Sequence, residues 1–173
     1  MRSILISIRP KWCELIANII KMVEVRKTKP KFETPFKCYI YCTNDKEILW
    51  VSRVAERVFC PQKIASIFAA KDVGGAYKAN GKVIGEFICN QIDTVMCVNT
   101  PCMQYITVND RMDMFFSDVS GLDVDTLGAY IGFNKEGYGW HISDLVIYDE
   151  PKELSEFGLK KPPQSWCYTE NVA

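Results

Sequence analysis

The chain has 173 residues, and a domain of that length buries roughly 70% of the surface its unfolded chain exposes, so it needs no disulfide or metal staple to hold a core. Its apolar runs, such as Ile4 to Ile8 and Leu15 to Ile20, fall well short of the roughly 20 residues that cross a bilayer, and its start lacks the continuous apolar core of a secretory signal, which excludes a helical membrane span and leads to the expectation of a cytoplasmic protein. The formal charge is zero, yet residues 1–37 carry nine Lys or Arg against three Glu, an excess of +6 that the rest of the chain offsets with −6; a basic end of this kind suits phosphates, and a solvated lysine-rich loop is the plainer reading of the same charges.

Within residues 3–8, Ile4, Ile6 and Ile8 fall on one side, the period of a half-buried strand. Pro10 fits the first turn of a helix, where its missing N–H costs nothing, and Trp12, Leu15, Ile16 and Ile19 recur at helical spacing over residues 10–20. The period then changes to that of a strand, with Val23 and Val25 on one face and Glu24 and Arg26 on the other. Residues 27–35, with two prolines and three lysines, read as an exposed loop before a strand over 37–43.

Residues 44–80 show no clear pattern beyond a helical segment over 61–70, where Ile64, Ile67 and Phe68 share a face, and turns at Gly74-Gly75 and Asn80-Gly81. One long strand is predicted over 82–95, with Gly85 at a bulge. Residues 96–120 lack a period and read as an insertion. A helix over 124–131 is expected, capped by Asp123 and ended near Gly132, then a strand over 138–148 stopped by Pro151. A helical turn over 153–157 follows, and the tail with Trp166 and Tyr168 is expected to dock, because exposed aromatics make a poor loose end. The whole of 1–173 reads as one domain, with 44–80 and 96–120 as embellishments.

Eight cysteines, at 13, 38, 42, 60, 89, 97, 102 and 167, are expected to be reduced thiols, several packed as small hydrophobes. No Cys-x-x-Cys occurs, the chain has one histidine, and Cys38 and Cys42 would lie about 13 Å apart along a strand. Neither a metal site nor a cofactor is predicted.

The stretch Ile-Ile-Lys-Met-Val-Glu-Val-Arg-Lys at 19–27 resembles the opening of ASCH-domain proteins, whose first helix ends in Gly-x-Lys and whose next strand carries Glu-x-Arg. Lys21, Glu24 and Arg26 match by position, whereas Ile19 stands where glycine is usual and Met22 where threonine is common. Residues 6–13, 35–43, 81–87, 139–145 and 162–168 further resemble a branch of that family frequent in phages and prophages of Gram-positive bacteria. The resemblance implies an α+β fold, a PUA-like (ASCH) β-barrel with flanking helices, shared with domains that bind RNA or modified bases. It also implies that Lys21, Glu24 and Arg26 border a cleft.

Arg offers a planar fork to a phosphate or base edge, Lys a point charge, and a carboxylate can accept from an exocyclic amine. The expected ligand-binding set is therefore Lys21, Glu24 and Arg26, with His141 and Ser143 on one strand face, and Lys27, Lys29 and Lys31 gripping a nucleic-acid backbone. The bland counterparts are a Glu24–Arg26 ion pair on the wet side of a strand and a hydrogen-bonded strand histidine. Aromatics such as Trp12, Tyr138, Trp140 and Trp166 are stacking candidates or core. The leading expectation is an RNA- or nucleotide-binding module. One alternative is a hydrolase of modified nucleosides or RNA that uses Lys21 and Glu24, although Glu24 stands where the family's amidohydrolases carry a threonine. Another is a phage accessory protein that binds a host protein through residues 96–120 and the acidic C-terminal half.

Overall fold

The computed structural model describes residues 2–52, 58–60 and 76–169, so the helix expected over 61–70 and the turn at Gly74-Gly75 lie outside the described residues. In chain order the elements are β1 (Ser3–Ile8), α1 (Pro10–Ala17), β2 (Val23–Arg26), β3 (Phe36–Cys42), β4 (Trp50–Ser52), β5 (Val58–Cys60), β6 (Tyr77–Lys78), β7 (Lys82–Cys89) and β8 (Ile92–Asn99). There follow β9 (Gln104–Val108), β10 (Arg111–Met112), α2 (Phe116–Ser120), α3 (Val124–Ile131), β11 (Glu136–His141), β12 (Ser143–Lys152), a 3-10 turn (Leu154–Phe157) and β13 (Trp166–Thr169). No helix among the described residues is long and apolar enough to cross a membrane.

Residues 1–19, 36–88 and 144–173 form one compact unit. Its larger sheet runs β12-β7-β3-β1-β13, and β4 lies between β5 and β6 in a smaller one. β1 is parallel to β3, with Ser3 opposite Lys37, and antiparallel to β13, with Ser3 opposite Thr169. All six of its residues are buried. This corrects the half-buried reading, because a strand paired on both edges and covered on both faces hides its serines as well. Burial leaves both hydroxyls satisfied: Ser7 Oγ donates to the Pro163 carbonyl at 2.7 Å and Ser3 Oγ to the Thr169 carbonyl at 3.1 Å. The tail is docked as β13, where Trp166 and Tyr168 meet edge to face with ring centroids 5.4 Å apart.

Pro10 opens α1 as its spacing suggests, but the helix buries Pro10, Cys13, Ile16 and Ala17 rather than a stripe that includes Trp12 and Ile19. Ile19 lies past the helix end, 52% exposed, with φ +60°. The helix stops here because this residue takes the left-handed conformation, which a β-branched side chain rarely adopts.

The strand expected over 82–95 is two strands, β7 and β8, broken at Asn90-Gln91 and placed in different sheets, and the strand over 138–148 is likewise β11 and β12, broken at Ile142. Alternation continues across both breaks, so periodicity alone runs straight through them. Gly85 answers a demand for space: a Cβ there would lie 2.4 Å from the Val146 carbonyl oxygen of the neighbouring β12.

Residues 20–35 and 89–143 form the other unit. Its antiparallel sheet runs β10-β9-β8-β11-β2. The segment 96–120, expected as an insertion, supplies half of β8 and all of β9, β10 and α2, so it is part of the framework. Asp123 caps α3 by accepting from the Thr126 N–H at 2.7 Å, and Gly132 ends it with φ +95°. Phe116, Leu127 and Ile131 are buried from these helices. A Cβ on Gly139 would come within 3.4 Å of Val23, Val95 and Phe116, and one on Gly137 within 2.9 Å of Ile131, so the two glycines of β11 let the helices lie close to the sheet.

Candidate functional site

β2 is the last strand of its sheet, yet all four of its residues are buried. Alternation sends the valines to one face and Glu24 and Arg26 to the other. Glu24 Oε1 accepts from Arg26 Nη2 at 2.9 Å, and Glu24 Oε2 faces Lys21 Nζ at 3.5 Å. Lys21 Nζ also donates to the Ser120 carbonyl at 2.5 Å, so the ammonium caps the last turn of α2, where carbonyls lack helical partners. Two cations and one carboxylate thus share a closed space, with Lys21 only 2% exposed. The plain reading of an ion pair was right about the partners and wrong about the setting, which is not wet.

Burial pushes the Lys21 ammonium below the usual lysine range, and Arg26 pushes the same way; Glu24 opposes both without restoring the ordinary value. Tyr130 on α3 joins the cluster. Burial raises its phenol, while Arg26, hydrogen-bonded to the hydroxyl, pulls it down.

Just beyond Arg26 the chain turns outward. Lys27, Lys29 and Lys31 are exposed. Lys27 Nζ sits 5.4 Å from the centroid of the Tyr130 ring and Lys29 Nζ 5.0 Å from that of Tyr138, within the range of cation–π attraction. Tyr138 stands opposite Arg26 in the β11–β2 register, and its hydroxyl donates to Glu136 Oε1 at 2.5 Å. The arrangement is a row of ammonium groups interleaved with two tyrosines, anchored on a buried arginine.

His141 is elsewhere. It stands opposite Val23, while Trp140 stands opposite Glu24. Directly paired residues share a face, so the imidazole lies on the valine side of the sheet and Glu24 and Arg26 on the other. Its Nε2 is 2.6 Å from Asp93 Oδ2. Asp93 Oδ1 accepts from Gln91 Nε2 at 2.8 Å and from Asn109 Nδ2 at 2.9 Å. Burial pushes the Asp93 carboxyl up, but these hydrogen bonds and the imidazole outweigh it and hold the group below its ordinary value. Ser143 opens β12, a strand of the other sheet. The structure therefore brings together Lys21, Glu24 and Arg26, sets Lys27 and Lys29 beside them, and keeps His141 apart.

Sequence reasoning missed Asp93 and Tyr130. The signal for Asp93 was present, since it occupies a core-facing position in the alternation Asp93, Val95, Cys97, all three buried. A carboxylate there requires partners. Tyr130 gave no such sign.

No known family profile matches the sequence, and no curated protein matches it. Solved structures do resemble it: the ASCH protein of Zymomonas mobilis (TM-score 0.57, 16% identity, over 96% of this chain and 86% of that one), its tyrosine-to-phenylalanine variant (0.59, 15%, 99% and 93%) and its serine-to-alanine variant (0.59, 15%, 98% and 89%). The likeness extends over nearly the full length of both chains, and this sheet-rich protein accordingly has the fold of the Zymomonas mobilis ASCH protein.

Proposed function

We propose that the chain is an ASCH-type module that binds single-stranded RNA along the basic, tyrosine-bearing edge beside β2. The observation that carries this reading is the placement of Lys27 and Lys29 over Tyr130 and Tyr138. Ammonium groups supply phosphate contacts, and an aromatic ring offers a face to any base, a pairing suited to single strands. Lys31 extends the charged row. Glu24, itself faced by Lys21, holds Arg26 from behind. The fold likeness and the residues at 19–27 support membership of the ASCH family and a PUA-like barrel fold. The resemblance at both ends of the chain supports the phage and prophage branch.

The test is binding of a single-stranded oligoribonucleotide as a function of salt. Each phosphate neutralised steepens the dependence by about 0.7 in log–log slope, so affinity falls as salt rises and the slope is shallower in Lys27→Ala and Lys29→Ala. Tyr138→Ala loses about 1–3 kcal/mol if a base stacks there. Binding that is indifferent to salt overturns the reading.

One observation favours hydrolysis of a modified nucleoside as a second reading: burial lowers the Lys21 pKa, which moves the amine toward use as a base. Against it, the amine is already engaged by Ser120 and Glu24. Incubation of the protein with modified nucleosides decides the matter, and a complete lack of turnover retires it.

A further inference from the structure

We infer that the exposed apolar surface formed by residues 112–119 docks a basic, amphipathic segment of a protein partner. Met114 is 82% exposed, Phe115 75%, Met112 55% and Val119 38%. Met22, 38% exposed, joins them, because its N–H donates to the Val119 carbonyl at 2.7 Å. Single exposed apolar residues are ordinary, whereas a group of five large ones marks an interaction site.

The group is built and held. Asp113 Oδ1 accepts from the N–H groups of both Phe115 and Phe116, at 2.8 and 2.9 Å, which fixes the turn into α2. That helix sends Phe116 and Ser120 inward, and the same turn leaves the Phe115 ring outside. Methionine adds a polarisable surface that adapts to varied apolar partners.

Charge decides the occupant. Residues 110–125 contain Asp110, Asp113, Asp118, Asp123 and Asp125 against Arg111 alone. An acidic setting of this kind repels nucleic acid and anionic lipid, and it repels a second copy of the same surface. It attracts a segment that pairs apolar anchors with Lys or Arg, the pattern of a basic amphipathic helix. The surface is thus opposite in sign to the lysine row after Arg26 and does not depend on what that row binds.

The full chain is titrated calorimetrically with two synthetic amphipathic helical peptides of the same apolar pattern, one of leucine and lysine and one of leucine and glutamate. The lysine peptide is expected to bind and the glutamate peptide not to. The double variant Met114→Ser/Phe115→Ser is expected to lose at least about tenfold in affinity for it, while RNA binding is unchanged. Amide exchange on the unaltered protein gives an independent reading if the variant misfolds, and the peptide should then slow exchange within 112–119. Equal binding of the two peptides, or equal binding by the variant, overturns the inference. So does slowed exchange confined to other residues. Self-association that the double variant abolishes would replace the partner with a second copy, and capture by uncharged lipid vesicles would replace it with a membrane.

Discussion

Glu24 and Arg26 stand two residues apart on one strand, joined at 2.9 Å in a space where their side chains are only 8% and 7% exposed. Such a pair is sustained by mutual compensation, since each charge alone would be costly to bury. Glu24 also answers Lys21. Replacing it with glutamine leaves two buried cations facing each other.

The expected loss for Glu24→Gln is about 3–5 kcal/mol of folding stability, the usual cost of stranding a buried charge. Lys21→Met should cost less, because it removes the excess cation and keeps the Glu24–Arg26 pair. Urea denaturation of the two variants checks the order. A milder effect for Glu24→Gln would mean that water reaches the cluster.

Acid sensitivity should reside in Asp93 and Glu86. For Glu86, burial raises the carboxyl, but Lys37 Nζ and the Tyr148 hydroxyl, each at 2.6 Å, hold it below its ordinary 4.5. Asp93 is likewise held below 3.8. A carboxylate whose folded pKa is depressed contributes stability that is complete above its unfolded value and lost as pH falls through the folded one. Both contributions are therefore intact at neutral pH and disappear below about pH 4. Thermal melts in descending pH should show a smaller acid-induced drop for Asp93→Asn than for the unaltered protein, from a lower starting point. An unchanged drop would place the acid sensitivity elsewhere.

Ile19 holds φ +60° at a position where the ASCH pattern has glycine. The left-handed conformation costs a residue with a Cβ about 1–2 kcal/mol, and the 52% exposed side chain gains little by packing. Ile19→Gly is expected to raise stability by about 0.5–1 kcal/mol, after allowance for the greater freedom of glycine in the unfolded chain. A lower melting temperature would show that the isoleucine packs usefully.

Thiol reactivity should be sharply graded. Burial pushes the Cys89 thiol up to about 12 and that of Cys97 up to about 11, and the thiolate is the reactive species. Cys102 is exposed. Brief alkylation of the folded protein near pH 8, followed by mass spectrometry, should find Cys102 modified well before Cys89 or Cys97. Early modification of Cys89 would indicate that the end of β7 opens.

Local chemistry was legible in the sequence wherever a single residue settles a local outcome. Pro10 at a helix start and Asp123 as a cap could be read directly, whereas the Glu24–Arg26 pair stood only as the plainer counterpart of a ligand site. Chain breaks inside continuous alternation could not, because Asn90-Gln91 and Ile142 interrupt strands without interrupting their period. Burial was also hidden. Ser3, Ser7, Lys21 and Glu24 look like surface residues until their partners at Thr169, Pro163, Ser120 and Arg26 are placed, and most of those partners are distant in sequence. The lysine row was legible as charge, whereas its alignment with Tyr130 and Tyr138 came only with the fold.

The neighbours of β1 come from very different moments of synthesis. β3 follows within a few dozen residues, but β13 lies beyond residue 165. While the intervening chain is still being made, one side of a wholly apolar and serine strand keeps its N–H and C=O groups bare, an open template for another nascent chain. The four paired residues of β13 therefore act as a latch, and a chain broken off before Trp166 would be prone to stick to its own kind.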